Sequence, residues 1–181
     1  MKISGNSVEC PFFNFHYQVP TGWTTEDNAL RMQKNRANHA ESIKKAEAKA
    51  KPDTPNSKTT TQVFWLYELL VASPEPLPTE GKRALPYVRI WAMERFNMLD
   101  KPGDHARLLM QFQQVKMVHE PKEEDIAGHK FVRSDYLSSP GEYVSVFDTS
   151  AGKYLLFFEF RAKTEQAMNA LAKTMETVKF D

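Results

Sequence analysis

The alternation of apolar and polar residues is clearest near the end of the chain. Residues 154–161 are apolar on both faces except for Glu159 and Arg161 at one end, which predicts a strand buried on two sides. A helical pattern follows at once, with Thr164 as its predicted N-cap. We therefore predict a core strand and a helix that folds back onto its sheet. The apolar stripe of that helix consists of Met168, Leu171, Met175 and Val178.

The rest of the chain predicts five further strands and two further helices. Short turns join the last three strands, so these should form an antiparallel meander. The predicted fold is α+β: a single mostly antiparallel sheet of about six strands flanked by helices, an α/β/α sandwich with the order β-α-β-β-α-β-β-β-α. Residues 1–10 are predicted as an arm or a short edge strand, and residues 11–181 as one domain. The other strands are predicted at 12–19, 63–72, 87–96, 126–136 and 142–149, the helices at 25–51 and 104–118, and loops at 52–61, 73–86 and 119–125.

Composition narrows the class of protein. The 181 residues are 41% hydrophobic and 26% charged, as expected for a globular chain, and a net charge of +1 does not favour nucleic acid or an anionic membrane as a general partner. Cys10 is the single cysteine, so the chain forms no internal disulfide, which suits a reducing compartment or a disulfide-free exported protein. No run of 18 apolar residues predicts a membrane span, and the first ten residues lack the apolar stretch of a signal peptide.

Known catalytic motifs are absent from the sequence. There is no Gly-x-Gly-x-x-Gly, phosphate loop, His-Glu-x-x-His or Gly-x-Ser-x-Gly pattern. The nearest approach to a metal site is His119, Glu123 and His129, which span a charged loop and a strand. Cys10 has no neighbouring base in the predicted arm. We therefore predict no catalytic residue, no cofactor and no metal.

Charged residues inside the predicted strands form the most informative constellation. On neighbouring strands they would line one polar patch on the sheet, and the simplest interpretation is a cross-strand ladder of ion pairs, because unpaired buried charges are costly. The same patch could instead bind a small molecule or a peptide. General acid–base catalysis by Glu68 or Glu159 is a third interpretation. The candidate residues are Glu68, Arg89, His129, Arg133, Asp135, Glu159 and Arg161.

Two other features offer surfaces for a partner. Trp65, Tyr67, Tyr87 and Trp91 are candidates for a shared, less covered sheet face, where they would either pack in the core or line a groove. Between Arg31 and Lys58 the chain has eight Lys or Arg against three Asp or Glu. This segment is either a solvated helix face or a basic surface for an anionic partner.

Three stretches of the sequence resemble a known family. They are Phe15–Trp23 (FHYQVPTGW), Ile126–Phe131 (IAGHKF) and Tyr154–Phe160 (YLLFFEF), the last followed by a helix that closes on Val178-Lys179-Phe180. They are similar to the PsbP-like fold family, which includes the photosystem II accessory subunit, the Mog-type Ran-binding import factors and many bacterial proteins of unassigned function. The resemblance covers about residues 11–181, and the long basic segment at 25–51 departs from the shorter connection expected there.

The resemblance implies a bacterial member of this family with a non-enzymatic accessory or binding function, exerted through a surface or cleft. It also implies that export is common among bacterial members. The polar patch leaves a second hypothesis open: a small-ligand-binding module or a divergent enzyme that uses residues around Glu68, His129, Arg133 and Glu159. The basic segment supports a third hypothesis, binding to an anionic surface.

Overall fold

The structure, a computed structural model, describes residues 1–49, 66–76, 83–96, 98–112, 115–139 and 141–181. These residues contain three α-helices: α1 (Asn28–Lys49), α2 (Asp104–Gln111) and α3 (Glu165–Ala172), the last continued by a 3-10 helix at Lys173–Thr177. The strands, in chain order, are β1 (Lys2–Ser4), β2 (Ser7–Cys10), β3 (Phe15–Gln18), β4 (Thr24–Thr25), β5 (Leu66–Ser73), β6 (Tyr87–Glu94), β7 (Val115–Met117), β8 (Lys122–Ile126), β9 (His129–Ser138), β10 (Tyr143–Ala151), β11 (Tyr154–Ala162) and β12 (Lys179–Phe180).

The strands form two sheets, which corrects the prediction of one six-stranded sheet. A four-stranded sheet has the order β1-β2-β3-β12, and an eight-stranded sheet has the order β4-β5-β6-β11-β10-β9-β7, with β8 also paired to β9. Every pairing within the described residues is antiparallel. The first strands pair with the last one, so they build a sheet of their own instead of extending the large one.

The predicted core strand, β11, lies near the centre of the large sheet, between β6 and β10. Phe158 and Phe160 face the small sheet and the 3-10 helix, and they belong to a buried cluster with Phe15, Tyr17 and Met175. Because strand residues alternate in direction, their neighbours face the opposite side. The apolar pattern on both faces of β11 therefore reflects two separate cores.

The second core lies on the other face of the large sheet, under α2. Its buried members include Trp91, Tyr136, Leu155 and Phe157, and Leu108 of α2 packs against them. The cover of the two faces thus differs: a second sheet and α3 on one side, and the short helix α2 on the other.

Several helix and strand boundaries differ from the prediction, because short or polar strands lack a clear alternation of apolar and polar residues. The predicted helix at 104–118 ends at Gln111, and β7 follows. The predicted charged loop at 119–125 contains most of β8, whose sequence KEEDI is polar. The predicted strand at 126–136 is interrupted by a hairpin turn at Ala127 and Gly128, both with positive φ (52° and 78°). Positive φ at both positions fits a two-residue hairpin loop.

The predicted N-terminal arm takes part in the small sheet. Residues 1–10 form the hairpin β1–β2, and the side chains of Val8 and Cys10 lie in the core between the sheets. Thr164 caps α3 as expected, because its hydroxyl accepts a hydrogen bond from Ala167 N at 3.2 Å. The predicted loop at 52–61 and residues 63–65 of the predicted second strand lie outside the described residues. None of the described helices is both long enough and apolar enough to cross a membrane.

A buried carboxyl group connects β10 to the start of α2. Asp148 is 2% exposed, and its Oδ2 accepts a hydrogen bond from Gly103 N at 2.6 Å. Burial is the main reason that the pKa of Asp148 rises to about 7, and the nearby Asp104 carboxylate raises it further. The folded state therefore holds a proton that the unfolded chain releases at lower pH, and the stability should fall as pH rises from about 4 to 7.

We expect Asp148→Asn to stabilise the protein above pH 7, since the amide oxygen can still accept the Gly103 bond and carries no charge. The gain in free energy of unfolding should be about 1–3 kcal/mol at pH 8 and close to zero at about pH 4. Urea unfolding at both pH values measures it. Asp125→Asn is the matched control, because the exposed Asp125 also accepts a glycine N–H, from Gly128 at 3.1 Å. An equal gain at both pH values for Asp148→Asn would contradict the expectation.

Candidate functional site

The structure divides the predicted polar patch between the two faces of the large sheet. Glu68, Arg89, Glu159 and Arg161 lie on the face covered by α2, because the registers place Glu68 opposite Trp91 and Arg89 opposite Glu159. Arg133 and Asp135 lie on the face of the small sheet and α3, where Arg133 is paired with Phe147. The predicted residues therefore do not form one continuous site.

The first group forms a ladder of alternating charges across four segments of the chain. Arg83 Nη2 and Arg89 Nε donate hydrogen bonds to the two oxygens of Glu68, at 2.8 and 2.6 Å. Arg89 Nη1 lies 3.9 Å from Glu159 Oε2, and Arg161 Nε donates to Glu159 Oε1 at 2.6 Å. Arg161 Nη1 then donates to Glu142 Oε2 at 3.0 Å, which ends the ladder. Glu159 and Arg161 thus form an ion pair within this ladder.

The environment of this ladder stabilises the charged forms. Burial alone would raise the pKa of Glu159, which is 2% exposed, but the Arg161 and Arg89 guanidinium groups outweigh it and lower that pKa. Burial would likewise lower the pKa of Arg161, and the Glu159 carboxylate outweighs it and raises the pKa. Burial also raises the pKa of the neighbouring Tyr87 phenol to about 12. A Glu159 that is ionised at neutral pH is suited to pairing, whereas a general acid near neutral pH needs a raised pKa.

The second group, Arg133 and Asp135, lies on the face of the large sheet that α3 covers. Arg133 Nε and Nη2 contact the two oxygens of Asp135, both at 2.9 Å, and Nη2 also donates to Asn169 Oδ1 of α3 at 2.6 Å. Asp135 Oδ1 accepts a further hydrogen bond from Ser145 Oγ at 2.6 Å. His129 is not part of this group: it lies at the start of β9, with its ring 3.9 Å from the ring of Phe180. The predicted set therefore consists of an ion-pair ladder, an Arg–Asp pair and a separate histidine.

The residues considered for a metal site also lie apart. His119 Nε2 is 3.0 Å from Glu165 Oε1 of α3, and Glu123 Oε2 lies 3.9 Å from Lys130 Nζ. Across the described ranges, no group of three or more His, Cys, Asp or Glu side chains is placed to hold a metal ion. Cys10 is buried in the core between the sheets, where burial raises the pKa of its thiol.

The four aromatic residues proposed for a shared face have different positions. Trp91 is buried and stacks on Phe157 with 3.8 Å between ring centroids, and Tyr87 is buried at the other end of β6. Tyr67 lies opposite Ala92, so its side chain is on the other face, where its ring is 6.1 Å from that of Tyr154. Trp65 lies outside the described residues. Of the described members, only Tyr67 reaches a groove.

That groove follows the edge of the large sheet between the N-terminal hairpin, β5 and α1. Two cavities of about 440 and 410 Å³ lie along it, and a further one of about 440 Å³ adjoins its end at the β2–β3 loop and the turn between β10 and β11. The two along the edge share Asn35, Arg36 and Tyr67, and the one at the end shares Phe12, Phe13 and Tyr154 with the larger of these, so neighbouring cavities adjoin one another. We call this groove the α1 groove and define it by Phe12, Phe13, Met32, Asn35, Arg36, Leu66, Tyr67 and Tyr154.

Apolar side chains in the α1 groove are unusually exposed. Phe12 is 71% exposed, Met32 48% and Leu66 43%, and these are half of the six large hydrophobic residues that are exposed in the described chain. The Phe12 and Phe13 rings pack edge-to-face with each other and with Tyr154, at centroid distances of 4.8 to 5.7 Å. Clustered exposed apolar residues mark binding surfaces more often than scattered ones do.

Helix α1 supplies the basic side of the groove and seals the edge of β5. Asn35 Nδ2 donates to Glu68 O at 3.0 Å and Asn35 Oδ1 accepts from Glu68 N at 3.3 Å, so this amide takes the place of a neighbouring strand. Arg31, which is 2% exposed, is the one buried residue among those of α1 whose side chains the structure describes. The helix contains six Lys or Arg and two Glu, a net charge of +4.

Sequence reasoning missed most of the groove. Phe12 and Phe13 were assigned to a predicted strand, whereas both lie in the loop between β2 and β3. Met32, on α1, is half exposed. The sequence signal on this side of the molecule was the basic composition of α1, which predicted either a solvated helix face or a surface for an anionic partner.

The fold has a counterpart among solved structures. The solution structure of cyanobacterial PsbP (CyanoP) from Synechocystis sp. PCC 6803 superposes with a TM-score of 0.50, covering 97% of this chain and 91% of that chain at 8% sequence identity. No family model and no curated protein matches the sequence. The comparison therefore supports the PsbP-like fold that the three sequence stretches implied.

Proposed function

We propose that this chain is a non-enzymatic binding protein that docks a segment of a partner polypeptide in the α1 groove. The observation that carries the proposal is a row of adjoining cavities around α1 and the edge of β5, lined by the exposed apolar side chains of Phe12, Met32 and Leu66. An accessory role is also what the resemblance to the PsbP-like family implies.

The side chains that line the groove indicate which kind of partner segment would bind there. Aromatic and aliphatic side chains of the partner would fill the space between Phe12, Met32 and Tyr67, where burial of apolar surface supplies most of the affinity. Arg36 lies at the junction of two of the cavities and is exposed, on a helix of net charge +4. We therefore propose a segment that combines apolar residues with Asp or Glu, since complementary charge adds specificity and speeds association.

The ion-pair ladder is better explained as a structural element. The carboxylate oxygens of Glu68 and Glu159 already contact arginine nitrogens, and most of these contacts are 2.6 to 2.8 Å. A catalytic role for either residue would require one of these contacts to break. The small-ligand alternative has better support at Arg133, on the opposite face.

Panning a random peptide library displayed on phage against the full chain tests the proposal. We expect the enriched peptides to carry an aromatic or Leu residue next to Asp or Glu. Phe12→Ala and Arg36→Glu should each weaken a selected peptide about tenfold or more, because each removes a central groove contact. A peptide in which Lys replaces the acidic residue should recover affinity for Arg36→Glu.

Two controls match these variants. Phe112→Ala removes another exposed ring, at the end of α2, and Lys44→Glu makes the same charge change further along α1. Both should bind the selected peptide normally. The absence of enriched peptides, or equal losses in the control variants, would overturn the proposal. Salt-sensitive binding to phosphatidylglycerol vesicles that Phe12→Ala leaves unchanged, with no peptide selected, would favour the anionic-surface hypothesis instead.

A further inference from the structure

A larger cavity lies on the other side of the small sheet, away from the α1 groove. Its volume is about 680 Å³, and it is bounded by the β8–β9 hairpin on one side and by α3 and the 3-10 helix on the other. The large sheet contributes Arg133 and Phe147 to its lining. Its lining includes Arg133, Phe147, Asn169, Lys173, Met175 and Val178.

We propose that this cavity binds a small ligand with one carboxylate group and an apolar body, and that Arg133 anchors the carboxylate. Arg133 is held rigidly, because Asp135 engages its Nε and Nη2, and Asn169 Oδ1 accepts from Nη2. The guanidinium carbon also lies 5.3 Å from the centre of the Phe147 ring. A guanidinium fixed in this way pays little entropy when it binds a ligand.

The hydrogen bonds of Arg133 leave one edge of its guanidinium available. Within the described chain Nη1 makes no hydrogen bond, and the residue is among those that line the cavity. Asn169 uses its carbonyl oxygen for Arg133, and its amide NH₂ is a second donor on a residue that lines the cavity. The guanidinium and the amide together offer one N–H donor for each oxygen of a planar carboxylate.

The remaining lining supports a monoanion with an apolar body. Met175 and Val178 are buried side chains that present an apolar wall, and Lys173 and Lys179 are exposed cations on the same side. The 3-10 helix side also carries Glu176, and the hairpin side carries Asp125 and Glu124, the latter already paired with Lys122 at 2.6 Å. A doubly charged phosphate would meet repulsion from this side and from Asp135, whereas a carboxylate carries half that charge.

An NMR titration of the full chain with 3-phenylpropionate tests the proposal, with 3-phenylpropanamide as the neutral analogue of the same shape. We expect saturable shifts of the Asn169 side-chain amide and of the Arg133 Nε signal in the millimolar range, and none with the amide. Equal shifts with the two compounds would overturn the assignment of a carboxylate. Stronger binding of inorganic phosphate, or no saturable shift at these two residues, would overturn it as well.

Variants complete the experiment. The double substitution Arg133→Gln/Asp135→Asn removes both charges together, so no buried charge is left unpaired, and it should weaken the probe about tenfold or more. Asn169→Ala leaves the Arg133–Asp135 pair in place and should weaken it as well, which keeps the test valid if the double variant is unstable. Arg95→Gln, at a surface pair with Asp100, is the matched control and should bind normally. Unchanged binding in both cavity variants would contradict the proposal.

Discussion

We expect Glu159→Gln to lower the free energy of unfolding by about 3–5 kcal/mol, because the change leaves two arginines without their shared counter-charge. Glu159 is buried at the centre of the ladder, between Arg161 at 2.6 Å and Arg89 at 3.9 Å. The substitution keeps the shape of the side chain and removes only its charge. Thermal unfolding at pH 7 measures the effect, which should appear as a decrease in Tm of roughly 6–20 °C for a chain of this size.

Two comparisons separate a structural from a functional role of Glu159. Glu9→Gln breaks the exposed pair with Lys2, which lies at 3.0 Å, and should cost about 0–1 kcal/mol. Binding of the peptide selected on the α1 groove should be unchanged in folded Glu159→Gln. A loss of that binding without a loss of stability would contradict the structural interpretation of the ladder and revive Glu159 as a site residue.

The lowered pKa of Glu159 also predicts how the stability of the protein changes as the pH falls. The pKa of Glu159 is lower in the folded state than its ordinary value, so its contribution to stability is complete above that ordinary value and is lost as pH falls through the lowered pKa. Asp148 acts in the opposite direction, because its raised pKa favours the folded state at low pH. The free energy of unfolding should therefore fall less steeply with decreasing pH in Glu159→Gln than in the native chain, because the variant no longer takes up this proton.

The parts of the fold that the sequence predicts are those with strong local patterns. The strand β11 is apolar on both faces, α3 has a capping Thr164, and the turns between β9, β10 and β11 are short; these features give the meander and its helix. Such signals need only neighbouring residues. The small sheet needs distant ones, because it pairs Phe15 with Phe180 across nearly the whole chain. Two-residue strands such as β12 carry no periodicity from which this pairing could be predicted.

The polar patch is divided because alternate residues of a strand face opposite sides of the sheet. The sequence shows which residues share a face within one strand, but not which residues of two different strands do. Arg133 and Asp135 are two residues apart and share a face, as predicted. Whether that face is also the face of Glu159 depends on the order and register of β9, β10 and β11. The register places Arg133 opposite Phe147 and Phe147 opposite Phe158, whose face is opposite to that of Glu159. A shift of the strand pairing by one residue would place both groups on the same face, so the register decides between one site and two.

The α1 groove could not be predicted from the sequence, for a different reason. Its walls come from the β2–β3 loop, from α1 and from β5, three segments whose separate patterns are unremarkable. Exposure of Phe12 and Met32 is a property of their joint arrangement. The basic composition of α1 was visible, but the aromatic wall that turns a solvated helix into one side of a groove was not.

The largest effect in the core should come from Phe158→Ala, which we expect to lower the free energy of unfolding by about 3–5 kcal/mol. Phe158 is fully buried in β11 and touches both sheets: its ring centroid lies 5.3 Å from that of Phe15, and 6.0 Å from those of Tyr17 and Phe131. Truncation would leave a cavity between the sheets that neither sheet can close alone. Urea unfolding followed by far-UV circular dichroism measures the loss.

This variant also tests whether the two sheets form one domain, as the sequence predicts for residues 11–181. If they do, β3 and β6 should lose amide protection in the same transition in both the native chain and Phe158→Ala, because the shared core couples them. Phe112→Ala, which removes an exposed ring, should change the stability by less than about 0.5 kcal/mol. Exchange of β3 amides well before those of β6 in the native chain would show instead that the small sheet unfolds independently.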